Sequence, residues 1–248
     1  MRANTTAKGG FGEAVRTIVY AVLIAVGIRT FLFEPFNIPS ESMLPNLMVG
    51  DYLFVSKFSY GYSRHSLPFS LPLVPGRVFF DQPERGDIAV FKLPADNKTD
   101  YIKRIVGLPG DHIQVREGVL YINDMAVEKT KIEDFVYTDP YGNFRRIPQY
   151  RETLPNGVSY NVLDMTPRGD LDNTDVYTVP EGHFFAMGDN RDNSQDSRVQ
   201  RAVGYVPAVN LVGRAEIIFF SHDGSAAFFE FWKWPWAWRW SRFLEWLH

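Results

Sequence analysis

Two serines and a lysine are the residues here that could do chemistry. The serines stand in Ile38-Pro39-Ser40-Glu41-Ser42-Met43-Leu44-Pro45, a few residues beyond an apolar N-terminal segment that ends near Phe33. A candidate nucleophile is therefore expected close to a membrane surface. A serine hydroxyl attacks only when a base takes its proton. The stretch Asp100-Tyr101-Ile102-Lys103-Arg104-Ile105-Val106-Gly107 offers that base, a lysine in a strand-like run where alternation calls for an apolar residue. Lysine acts as a base only when neutral, so its pKa must fall from near 10.4 by about 2 to 3 units, a bias of ~3 to 4 kcal/mol. Burial produces such a shift. Alternation groups Lys103 with Tyr101 and Ile105, and Arg104 with Ile102 and Val106, which predicts Lys103 inward and Arg104 outward. The bland reading is a surface lysine on an edge strand.

The segment 14–33 is apolar except for Arg16, Thr17, Arg29 and Thr30. At ~1.5 Å per residue, about 20 residues cross a hydrocarbon layer of ~30 Å. Arg2, Lys8 and Arg16 precede the segment, which by the positive-inside bias puts residues 1–13 in the cytoplasm and the rest outside. Arg29 near the outer end can snorkel to the headgroups. No small-x-small site follows Gly27, so an uncleaved anchor over 14–34 is preferred to a cleaved signal or a buried core helix.

Beyond the anchor, short runs rich in β-branched and aromatic residues predict strands at 52–56, 88–92, 101–106, 112–116, 119–122, 177–179, 183–187 and 215–220. Turn residues punctuate them, as in Pro83-Glu84-Arg85-Gly86-Asp87 and Pro109-Gly110-Asp111. The expected fold is mainly β: one transmembrane helix, then a coiled antiparallel sheet or barrel-like domain over 35–126 and 176–222. Residues 62–76 read as an exposed apolar loop or a membrane-dipping surface. Residues 127–175 are polar and turn-rich and read as an inserted subdomain or long hairpin. The tail 223–248 holds all six tryptophans, with Lys233, Arg239 and Arg242 among them. It reads as an interfacial segment, with an aromatic strip packed on the protein itself as the competitor.

The 248 residues carry a formal charge of -3 and no run of Lys or Arg, which argues against a nucleic-acid partner. There is no cysteine, hence no disulfide and no thiolate metal site. The Asp/Asn-rich stretch from Asp189 fails as a calcium loop, with Ser194 where glycine is needed and Gln200 where glutamate is needed. Asp170 to Asp175 with Glu181 lacks the central glycine as well. The histidines His65, His112, His183, His222 and His248 show no paired metal spacing. No metal or cofactor is expected. A Ser-His-Asp triad through His112 or His183 stays open because triads assemble from distant positions, but nothing local supports it.

Four stretches occur in order: Ser40 to Pro45, Arg85-Gly86-Asp87-Ile88-Ala89-Val90-Phe91, Tyr101 to Asp111, and Gly188-Asp189-Asn190-Arg191-Asp192-Asn193-Ser194-Gln195-Asp196-Ser197-Arg198. Together they resemble the motifs of type I bacterial signal peptidases. The resemblance takes in the anchor and most of the β-core, and leaves out 127–175 and the tail. It implies Ser42 as nucleophile and Lys103 as general base, with Ser40 and the Ser42 backbone N–H in the oxyanion hole. It further implies that Ser194 orients the lysine, that Asp196 and Arg198 form a supporting pair, and that Met43 lies beside the nucleophile on the membrane-facing side. The activity implied is endoproteolytic removal of signal peptides from exported preproteins after small-x-small sites. The expected place is the outer, periplasmic side of a bacterial inner membrane, with lipid and preproteins as partners. Two rivals remain: a Ser-Lys protease that cleaves itself or one partner, and a non-catalytic tethered β-domain that binds exported chains.

Overall fold

The computed structural model describes residues 10–138, 142–166, 168–226 and 229–247. Arg2 and Lys8, on which the orientation argument leans, lie outside them, as do Phe228 and His248.

Helix Gly10–Phe31 is, among the described residues, the single helix long and apolar enough to cross a membrane. It stops short of the expected segment 14–34. Phe33–Asn37 is instead a strand, antiparallel to Asp51–Ser56. Pro35 explains the change: it lacks the N–H and the room that a helix interior requires, and an edge strand tolerates it. The joint is fastened. Tyr62 donates its hydroxyl to the Phe31 carbonyl at 2.8 Å, and Glu34 takes Arg29 from the helix at 2.6 Å and Lys57 from beyond the second strand at 2.7 Å.

The main sheet runs Phe33–Asn37, Asp51–Ser56, Leu211–Ser221, Ile88–Lys92, Asp100–Gly107, His183–Met187, Val206–Pro207, all antiparallel. Every strand expected from alternation is present, the run 215–220 as part of the longer Leu211–Ser221. That strand shifts register after Ala215 and again after Ile218. Such bulges bend a strand and raise its twist, and the sheet curls around its cores. One core gathers Met43, Leu47, Leu53, Val55, Ile88 and Val90. Another lies between the far end of the main sheet and the strands His112–Arg116 and Val119–Ile122.

Residues 127–175 hold a three-stranded sheet (Glu128–Lys131, Gln149–Thr153, Ser159–Leu163) and a hairpin (Phe135–Thr138 with Phe144–Ile147). In the loop 62–76, Phe69 is 99% exposed and Leu73 73%, whereas Ser63, His65 and Ser66 are buried. The tail divides. Trp232, Trp236, Trp240 and Trp246 are exposed, while Glu245–Trp246 adds a strand to Ile217 and Ile218 of the main sheet.

Candidate active site

The turn from Ile38 to Gly50 carries the two serines, and its apolar residues decide how it lies. Met43, Leu44 and Leu47 are fully buried, which fixes the backbone on either side of Ser42. Backbone bonds close the turn at Leu44 N–H to Glu41 O (3.1 Å) and Leu47 N–H to Met43 O (2.9 Å). Asn190 holds it from the other side, its N–H on Ser42 O (3.1 Å) and its Nδ2 on Glu41 O (3.0 Å).

Lys103 stands on Asp100–Gly107, whose neighbour Ile88–Lys92 pairs it with Ala89. Its side chain is 3% exposed as a residue, and Nζ lies 2.7 Å from Ser42 Oγ and 2.8 Å from the Ile102 carbonyl. Burial pulls its pKa down to about 8, against the opposing charges of Asp196 and Asp189. A lysine at that value is partly neutral near pH 7 and can accept the Ser42 proton along the bond already present. Ser40 Oγ lies 3.4 Å from Ser42 Oγ, so a second hydroxyl faces the space into which an attacked carbonyl would come.

A cleft of about 520 Å³ opens at this pair. Phe36, Ile38, Val90 and Ile102 give it apolar walls, and Ser40, Ser42 and Lys103 its polar end.

The last motif packs beneath. Asp196 and Arg198 are both buried and form a two-pronged ion pair, Nε and Nη2 on Oδ1 and Oδ2 at 2.9 Å each. Burial alone would raise the Asp196 pKa; Arg198, with the Gly188 N–H, holds it below the usual carboxylate range. A Cβ on Gly188 would lie 2.1 Å from Ser194 Oγ and 2.6 Å from Ser42 O, so only glycine permits this approach. Ser194 reaches the site, yet its Oγ is buried without a hydrogen-bond partner among the described residues. The bond that orients Lys103 here comes from the Ile102 carbonyl. Met43, next to Ser42, is fully buried in the core with Ile38, Leu47 and Val55.

Arg104 overturns the alternation argument. It is 1% exposed and bound through Nε and Nη2 to Asp189, both at 2.9 Å, with its guanidinium 4.1 Å over the Tyr160 ring. Alternation assigns one face to water only when the sheet has a bare face, and here residues of the 127–175 stretch cover it. Asp189, Asn46 and Glu41 were missed as site partners. Asn46 Nδ2 donates to Asp189 at 2.7 Å, and Glu41 takes Tyr137 O–H at 2.9 Å. The signal available was the charge density of the last motif, since a buried strand cation needs a carboxylate.

Among the described residues, no histidine hydrogen-bonds to Ser42 or Lys103. Asp164, Asp172 and Asp192 bring oxygens within 4.8 Å of one another. Lys129 pairs with Asp164, and backbone N–H groups of Gly169, Met165 and Thr166 occupy oxygens of the other two.

A buried lysine bonded to a serine hydroxyl, on a curled antiparallel sheet, is the arrangement of a serine–lysine hydrolase. The sequence places it further: residues 11–220 match the family described as signal peptidase, peptidase S26, and the chain belongs to that family. Signal peptidase I of Rickettsia typhi is 42% identical over 228 residues, 89% of this chain and 84% of the relative. That of Rickettsia akari is 43% identical over 226 residues, 88% of this chain and 81% of the relative. A crystal structure of a signal peptidase I from Enterococcus faecalis is 26% identical and covers 54% of this chain and 97% of its own, at a TM-score of 0.33.

Proposed function

We propose that this chain is a membrane-bound serine endopeptidase that cuts signal peptides from exported preproteins, with Ser42 as nucleophile and Lys103 as general base. The observation that carries the reading is the 2.7 Å contact between a serine hydroxyl and a lysine whose burial brings its pKa to about 8. Neutral Lys103 takes the Ser42 proton as Oγ attacks the scissile carbonyl. The Ser40 hydroxyl and the Ser42 N–H meet the charge that develops on the carbonyl oxygen, an interaction worth ~2.7 to 4 kcal/mol per donor. The lysine ammonium then gives its proton to the leaving amine, and a water activated by the same amine frees the acyl group. Asp196 and Arg198 support the floor of the site, and Ser194 is placed to steady the lysine as it moves. The apolar walls suit the small side chains at the first and third positions before the bond.

Helix Gly10–Phe31 anchors the enzyme, its N-terminus in the cytoplasm and the β-domain on the outer side of a bacterial inner membrane. The exposed Phe69 and Leu73 and the exposed Trp232, Trp236, Trp240 and Trp246 supply the lipid contacts. The test is cleavage of a purified preprotein bearing an Ala-x-Ala site by full-length protein in detergent, with the cut read by mass spectrometry. Ser42→Ala and Lys103→Ala should both be inactive while folded. Cleavage retained by Lys103→Ala would overturn the assignment of the base.

A further inference from the structure

The C-terminal tail lies beyond the residues that match the family, yet it reaches the turn that carries Ser42. Arg242 donates through Nε to Asp51 Oδ1 at 3.1 Å, and through Nη2 to Asp51 Oδ2 and the Asn46 carbonyl at 2.7 and 2.8 Å. Asp51 is fully buried and also accepts the Met48 N–H at 2.7 Å and the Ser221 hydroxyl at 2.6 Å. Arg239 adds a bond to Val49 O at 2.9 Å. Leu247 closes against the core that holds Met43 and Leu47. The end of the serine turn, at Asn46 and Val49, and Asp51 at the head of the next strand are thus held from the tail.

The path continues to the lysine. Asn46 Nδ2 donates to Asp189, Asp189 binds the Arg104 guanidinium at both oxygens, and Arg104 is the neighbour of Lys103. One end of this chain of polar contacts sits behind the nucleophile and the other beside the base.

We propose that Arg242 is a positioning residue for the reaction: by clamping Asn46 and Asp51 it fixes the Ser42 turn against the Lys103 strand and so sets the distance between the reacting groups. It rests on the serine–lysine reading above. Arg242 touches neither reacting group and acts through the turn. The fork matters as much as the charge, because one guanidinium serves two carboxylate oxygens and a carbonyl, a geometry an ammonium does not reproduce. A displacement of ~1 Å at a reacting pair can cost about 10²-fold in rate.

The experiment compares wild type, Ser42→Ala, Arg242→Gln and Arg242→Lys as full-length proteins in detergent, reading kcat and KM for a preprotein from pH 6 to 10 and thermal unfolding alongside. The expected result is a kcat about 10- to 100-fold lower in the Arg242 variants with KM within about twofold. The rising limb of the pH–rate profile, set by deprotonation of Lys103, should move to higher pH, because a loosened Ser42 turn admits water and relieves the burial that holds the lysine near 8. If Arg242→Gln does not fold, Arg242→Lys, which keeps the charge and loses the fork, carries the same test. Unchanged kcat and limb in folded Arg242→Lys, or a loss of rate matched by loss of folded protein with the limb unmoved, would overturn the proposal. Activity in Ser42→Ala would instead strike the serine–lysine reading itself.

Discussion

Lys103 and Arg104 are adjacent cations on one strand, both buried, and their surroundings give them opposite fates. Around Lys103 the contacts are a hydroxyl and a carbonyl, and no carboxylate forms an ion pair with it among the described residues. Around Arg104 a carboxylate meets two of the guanidinium nitrogens, with the Gly86 carbonyl on a third at 2.7 Å. Burial without a paired charge disfavours the ammonium, as a base requires; burial against a carboxylate makes the guanidinium a strut. Depth in the fold does not by itself tell function from structure. The partner does.

The same substitution at the two positions sharpens this contrast. Lys103→Met should lower preprotein cleavage by at least about 10⁴-fold, the order found when a nucleophile–base pair loses a member. Arg104→Met should leave Asp189 buried and uncompensated and cost about 3 to 5 kcal/mol of stability, read by thermal or denaturant unfolding. Lys103→Met, though inactive, should gain stability at pH 7, by up to about 3 kcal/mol. The sign follows from the folded pKa of about 8 against the ordinary 10.5: between these values the unfolded chain binds more protons, so wild-type stability rises with pH. The advantage of the methionine is therefore full below pH 8 and fades toward pH 10.5. A gain that ignored pH would break the comparison. The smallest effect is expected at the rim. Tyr137→Phe removes the hydroxyl that holds Glu41 between the two serines and should lower kcat several-fold, in line with a hydrogen bond of about 1 kcal/mol.

The strands of the main sheet were legible because each buries a face and alternates accordingly, as in His112–Arg116, whose Ile113 and Val115 are buried between exposed His112 and Arg116. The serine turn and the lysine were legible from residue type and order. What the chain hides is pairing over long separations. Phe33 continues an apolar run; Pro35 stops the helix locally, but the partner that makes the segment a strand, Ser56 opposite Phe33, lies far along the chain. Glu152 looks like a solvated strand residue, yet it is fully buried on Arg191 of the last motif, with bonds of 2.6 and 2.5 Å. In the tail, aromatic composition suggested lipid and masked the two arginines that turn inward. Local pattern announces which residues prefer burial; which charge meets which is decided by parts of the chain far away.

The fastened joint between helix and sheet has a consequence of its own. Tyr62 holds the last helical turn, Glu34 bridges Arg29 and Lys57, and the strand beyond is zipped along its length to Asp51–Ser56. No slack remains between anchor and catalyst. With the helix set in a bilayer as proposed, Ser42 would stand at one fixed height above the lipid, and the fold would act as a ruler for the peptide bond presented to it.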